Sequence, residues 1–164
     1  MSDTNEVQAA VVVERTYRAT VEELWALWTT KEGFESWWGP EQFRVEVHKL
    51  EAREGGALDY DMIADTPEAV AAMTEMGQPV SHGTHGVYQE FRPMSRLRLM
   101  HVIDFVPGKA PYETLIDVDF SQAGDQARMV VTVHPHPDPN WTRMSVQGFT
   151  SQLTKLDRRF GWAG

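Results

Sequence analysis

The stretch Asp138–Phe160, DPNWTRMSVQGFTSQLTKLDRRF, decides the architecture. Asp138-Pro139 is a helix start, an N-cap carboxylate followed by a proline whose missing N–H costs nothing at the first position. No further proline occurs up to residue 160, and Phe149, Leu153, Leu156 and Phe160 recur at spacings of four, three and four. At about 1.5 Å per residue this helix is roughly 33 Å long, enough to cross a sheet and cover one of its faces.

The sheet it needs lies immediately upstream. Strands are predicted over residues 82–92, 96–106, 112–122 and 126–135, punctuated by Arg92-Pro93, Pro107-Gly108 and Gly124-Asp125. Leu97, Leu99, His101 and Ile103 share one face of their strand, Ile116, Val118 and Phe120 one face of the next, and Met129, Val131 and Val133 one face of the last. Between them stand Arg98, Asp104, Asp117, Asp119, Arg128 and Thr132, so the sheet is antiparallel with one buried face and one wet face. In the first of these strands Val87 and Phe91 compete with Tyr88 for the interior, a conflict that a bulge resolves.

Further toward the N-terminus, residues from Phe43 to Ile63 form two strands around Gly55-Gly56, with Leu58, Tyr60 and Met62 on one side and Asp59 and Asp61 on the other. Thr66-Pro67 opens a small inserted helix with Val70, Met73 and Met76 on its apolar side, closed by Gly77 and Pro79. A first strand is expected over residues 8–18. Thr20-x-x-Glu23 is a capping box ahead of Val21, Leu24, Trp25 and Trp28, which predicts a helix over 21–29. A second short helix over 31–37 ends at Gly39-Pro40. Its adjacent Trp37 and Trp38 diverge by about 100 degrees on a helix, so one seals the core beneath it and the other faces a cavity mouth.

The chain has 164 residues, 15 Lys plus Arg against 24 Asp plus Glu, a formal net charge of −9 and no cysteine. That length is one domain. The acidic balance argues against nucleic acid as partner, because phosphate neutralisation carries that affinity. Without cysteine there are no disulfides, thiolate nucleophiles or thiolate metal sites. MSDTNEVQ has no basic or apolar leader character, and Ala9–Val13 is too short to span a bilayer, so a soluble, cytoplasmic protein is expected.

The element order, together with Trp37-Trp38-Gly39-Pro40-Glu41-x-Phe43, Arg53-x-Gly55-Gly56, Gly86-x-Tyr88-x-Glu90 and Gly148-Phe149, resembles the START-like (SRPBCC) superfamily, in particular its branch named for activators of the heat-shock protein 90 ATPase. The resemblance runs over residues 8–160. It implies an α+β helix-grip fold in one START-like domain: a curved antiparallel sheet of about six to seven strands wrapped around the long C-terminal helix, two short helices after the first strand, and an apolar cavity between sheet and helix. Chaperone-stimulating relatives in eukaryotes have two domains, and only the grip-type domain is matched here. The superfamily also holds cyclases, hormone receptors and lipid carriers, so three functions stay open: a binding protein for a hydrophobic or amphipathic small molecule, a cyclase- or lyase-type enzyme using the same cavity, and a chaperone-interacting module. Monomer and homodimer both remain open.

On that reading the cavity wall draws on Trp37, Leu58, Tyr60, Met62, Tyr88, Leu99, His101, Ile103, Val118, Phe120, Val131, Trp141, Ser145 and Phe149. For the enzyme reading the candidate acid or base is His101, an imidazole on an otherwise apolar inward face, or a tyrosine of the same cavity. No catalytic signature is present: no Gly-x-Ser-x-Gly elbow, no Walker loop, no Gly-x-Gly-x-x-Gly and no His-Glu-x-x-His. His134-Pro135-His136-Pro137-Asp138-Pro139 has two imidazoles at i, i+2, but alternating prolines read as an exposed connector with surface histidines, and no third metal ligand is apparent. His82 and His85 point to opposite faces of a strand. No metal and no cofactor are expected, and Asp59, Asp61, Asp117 and Asp119 are read as solvated charge.

Overall fold

The computed structural model describes residues 10–39, 41–104 and 110–160. In chain order the elements are β1 (Val11–Tyr17), α1 (Val21–Thr29), α2 (Lys31–Glu35), β2 (Phe43–Leu50), β3 (Ala57–Ala64), α3 (Pro67–Glu75), β4 (Ser81–Arg92), β5 (Arg96–Ile103), β6 (Tyr112–Ala123), β7 (Gln126–Val133) and α4 (Pro139–Phe160). The strands form one antiparallel sheet in the order β1-β7-β6-β5-β4-β3-β2. After β1 the chain leaves that edge through α1 and α2, enters the opposite edge at β2, and meanders back until β7 pairs with β1. A curved sheet gripping the long helix α4 results, as the resemblance implies.

Local chemistry sets the helix starts. The Glu23 N–H donates to Thr20 Oγ1 (3.1 Å) while the Thr20 N–H donates to Glu23 Oε1 (2.9 Å), completing the capping box of α1. Thr66 Oγ1 accepts from the Ala69 N–H ahead of Pro67 in α3, and Asp138 Oδ1 accepts from the Asn140 N–H at the start of α4. Helix α2 stops at Glu35, two residues before its predicted end, because the chain turns through Ser36 and the left-handed Gly39 (φ 96°) to lay both indoles inward.

Two glycine motifs meet in the sheet. Gly55 (φ 80°) donates its N–H to the Tyr88 carbonyl at 2.7 Å, and the Tyr88 N–H donates to the Gly56 carbonyl at 3.0 Å, so the β2–β3 turn docks on β4. The register of β4 against β5 shifts between Tyr88 and Glu90. This bulge lets Tyr88 and Phe91 both face inward, 5.5 Å apart, with Phe91 also 5.0 Å from Trp25. Gly86 lies opposite His101; a Cβ there would stand 2.8 Å from the Met100 carbonyl oxygen and 3.5 Å from the His101 ring. Gly86→Ala is therefore expected to cost about 2 kcal/mol by overpacking between paired strands, read as a lower urea midpoint at unchanged slope.

Two expectations are corrected on the outer face and at its end. Asp117 is not solvated: it is buried and accepts from Arg98 Nε (2.6 Å), Arg98 Nη2 (3.1 Å) and His134 Nε2 (2.8 Å). Burial opposes its ionised form, but the hydrogen bonds from Arg98 and His134 outweigh it and hold the carboxyl below the usual range. Nor are the connector histidines simply at the surface. His136 is buried, with Nδ1 2.6 Å from the Tyr112 hydroxyl, and burial pushes its pKa down. Alternating prolines shape the backbone of this segment without revealing that it crosses the end of the sheet beneath α4.

Candidate functional site

The concave face of the sheet is shared by two covers. Helix α1 buries Leu24, Trp25, Leu27 and Trp28 over part of it, and α4 lies over the rest. Under α1 the packing is continuous: Phe120 meets Trp25 at 5.4 Å, and the Tyr88 hydroxyl donates to the Trp28 carbonyl at 2.7 Å. Between α4 and the sheet it is not. A cavity of about 340 Å³ opens there, lined by Trp38, Tyr60 and Met62, by His82 and Thr84 of β4, His101 and Ile103 of β5, Thr114 and Ile116 of β6, Val133, His136, and the α4 face Trp141, Met144, Ser145, Gly148, Phe149 and Gln152. A wider recess shares His82, Trp141 and Met144 with it and is otherwise lined by Met73, Met76, Gln78 and Pro79 at the end of α3. Among the described residues, no Lys, Arg, Asp or Glu lines either space.

Of the fourteen residues named from sequence, Tyr60, Met62, His101, Ile103, Trp141, Ser145 and Phe149 line this cavity. Leu58, Tyr88, Leu99, Val118, Phe120 and Val131 face the same side but are buried in the core instead. Trp37 is there too, its indole N–H donating to the Leu27 carbonyl at 2.8 Å. Its neighbour Trp38 takes the cavity position. Sequence reasoning also missed Gln152 and Met144, although Trp141, Ser145, Gly148 and Gln152 form one helical stripe at spacings of four, three and four.

Three polar groups of the cavity, on Tyr60, His101 and Gln152, lie around Trp38. Its indole N–H donates to the Tyr60 hydroxyl at 3.0 Å, and that hydroxyl lies 3.0 Å from His101 Nε2. Indole nitrogen is donor only, so the phenol oxygen accepts from it. Burial, with no countercharge nearby, pushes the His101 pKa down to about 4 and pushes the Tyr60 phenol up. At neutral pH the chain Trp38–Tyr60–His101 therefore carries no charge. Next to Trp38, Gln152 Oε1 accepts from the Gly39 N–H at 3.0 Å, tying α4 to the turn.

His85 pairs with Asp59 at 2.9 Å while His82 faces the cavity, so the two rings lie apart. Among the described residues no three His, Asp or Glu side chains converge as metal ligands, and no helix is long and apolar enough to cross a membrane.

The fold is shared with solved structures of low sequence identity. A protein from Chromobacterium violaceum superimposes with a TM-score of 0.73 at 18% identity, covering 93% of this chain and 98% of its own. The AHSA1 protein from Silicibacter pomeroyi gives 0.71 at 19% identity, covering 92% and 96%. A Mycobacterium smegmatis protein gives 0.69 at 12% identity, covering 96% and 95%. No curated protein matches the chain. The family model described as Activator of Hsp90 ATPase homolog 1-like protein matches residues 18–161. With that match spanning nearly the whole chain, and with the strand order and gripped α4 of the START-like fold, the protein belongs to the Activator of Hsp90 ATPase homolog 1-like family.

Proposed function

We propose that this chain binds an apolar or amphipathic small molecule between its sheet and α4. The observation that carries the reading is the 340 Å³ cavity, whose wall combines aromatic, aliphatic and methionine side chains with His, Thr, Ser and Gln and, among the described residues, holds no Lys, Arg, Asp or Glu. Burying about 300 Å² of apolar ligand surface at roughly 25 cal/mol/Å² yields about 7 kcal/mol, from which the losses of association are subtracted. Micromolar or weaker affinity is expected. His101 favours binding over proton transfer, since an imidazole with a pKa of about 4 is a weak base at pH 7 and its Nε2 is already engaged by Tyr60.

The neutral fluorescent probe N-phenyl-1-naphthylamine tests this. Ser145 faces the cavity from α4, and Ser145→Phe fills that space without touching the core under α1. The wild type is expected to enhance the probe's emission, and the variant to bind it at least about tenfold more weakly with little change in thermal midpoint. Equal binding by both proteins, or none by the wild type, removes the reading. The family's description supports a second reading, a contact with the heat-shock protein 90 chaperone. Such a contact runs over the outer surface, so chaperone capture that is unaffected by Ser145→Phe in a protein that does not bind the probe favours it.

A further inference from the structure

We infer that the Trp38 end of the cavity receives a hydrogen-bond acceptor on an uncharged ligand, a carbonyl or ether oxygen carried by an apolar body. This rests on the binding reading above and names the class of ligand it would take. The observation that carries it is Gln152, only 3% exposed, whose side-chain Nε2 has no hydrogen-bond partner among the described residues. Its orientation is not interchangeable: the Gly39 N–H can only donate, so the amide oxygen must face Gly39 and the NH₂ must face away from it. Buried polar groups are almost always satisfied, and one left over at a cavity wall marks where a partner belongs.

Tyr60 and His101 stand beside Gln152: that side chain bonds the residue after Trp38, the Trp38 indole donates to the Tyr60 hydroxyl, and the Trp38 ring stacks 6.0 Å from the His101 ring. With an unpartnered N–H donor and no Lys, Arg, Asp or Glu among the described residues of the wall, a carboxylate would lose its hydration without gaining a cation, and an ammonium would meet the Gln152 N–H. A neutral acceptor fits both restrictions.

Calorimetric titration with three naphthalenes of one shape tests this: 2-acetylnaphthalene, 2-isopropenylnaphthalene, in which a methylene replaces the carbonyl oxygen, and 2-naphthoate. The ketone is expected to bind about tenfold more tightly than the alkene, and the carboxylate most weakly. Gln152→Leu is expected to remove most of the ketone's advantage over the alkene. Because that change also strips the acceptor from the Gly39 N–H, Gln152→Glu serves as the second variant: it keeps an acceptor for that N–H, lacks the amide donor, and is expected to remove the same advantage. Equal affinity for ketone and alkene in the wild type, or tighter binding of 2-naphthoate, overturns the inference and leaves the cavity reading standing. Failure of all three to bind overturns both.

Discussion

Trp28→Ala is expected to lower the unfolding free energy by about 4 kcal/mol, measured by urea denaturation at neutral pH. Trp28 is fully buried, and its ring meets Trp37 at 5.1 Å, Trp38 at 5.3 Å and Phe149 at 6.2 Å. It thus joins α1, the turn after α2 and α4 in one aromatic cluster. Its indole nitrogen also reaches Met129 Sδ on β7 at 3.4 Å. Truncation removes the ring that these elements share and leaves a void in the core. Since small proteins are stable by roughly 5–15 kcal/mol, the loss is a large share of the total. A deficit below about 1 kcal/mol would show that the cluster relaxes around the gap and that Trp28 does not hold the elements together.

The second large effect depends on pH and isolates one side chain. The ordinary histidine pKa of 6.5 falls to about 4 for His101 in the folded protein. Between those values the unfolded chain takes up a proton that the folded chain refuses. Stability therefore falls as the pH drops from 6.5 toward 4, by about 3 kcal/mol in total, and is unaffected by this residue above 6.5. His101→Gln carries no titratable group but keeps an acceptor for Tyr60. The expected outcome is a flatter pH–stability curve for the variant across this window, with the carboxylate contributions common to both proteins cancelling in the difference. Parallel curves would mean that His101 is hydrated well enough to protonate in place.

Much of this architecture was legible because it is written locally. Thr20 with Glu23, Thr66 with Pro67 and Asp138 with Pro139 each satisfy backbone donors within one turn, so helix starts need no tertiary knowledge. Strand alternation likewise sorted Leu97, Leu99, His101 and Ile103 onto one face. What alternation cannot say is which cover that face meets. Leu99 and His101 are two residues apart on the same side of β5, yet Leu99 is sealed in the core and His101 lines the cavity. The boundary is set by where α1 gives way to α4, a packing of elements distant in sequence. For the same reason Trp37 and Trp38 could be separated in role but not assigned, and Asp117 looked solvated until Arg98 and His134 were found on it. Gln152 was missed because a polar residue at one position of a long helix usually faces water.

The two halves of α4 are held differently. Over its later turns, Gln152 bonds Gly39, Ser151 Oγ accepts from the Glu41 N–H, Lys155 Nζ donates to the Gly39 and Phe43 carbonyls, and Asp157 accepts from the Tyr17 hydroxyl. The ties of Thr142 in its first turns run to His136 and Asp138, just ahead of it in the chain. The side chains of Ser151, Gln152, Lys155 and Asp157 reach β1, β2 and the turn after Trp38 without taking part in any strand pairing, so the hold of the helix over the cavity and the integrity of the sheet draw on separate sets of bonds.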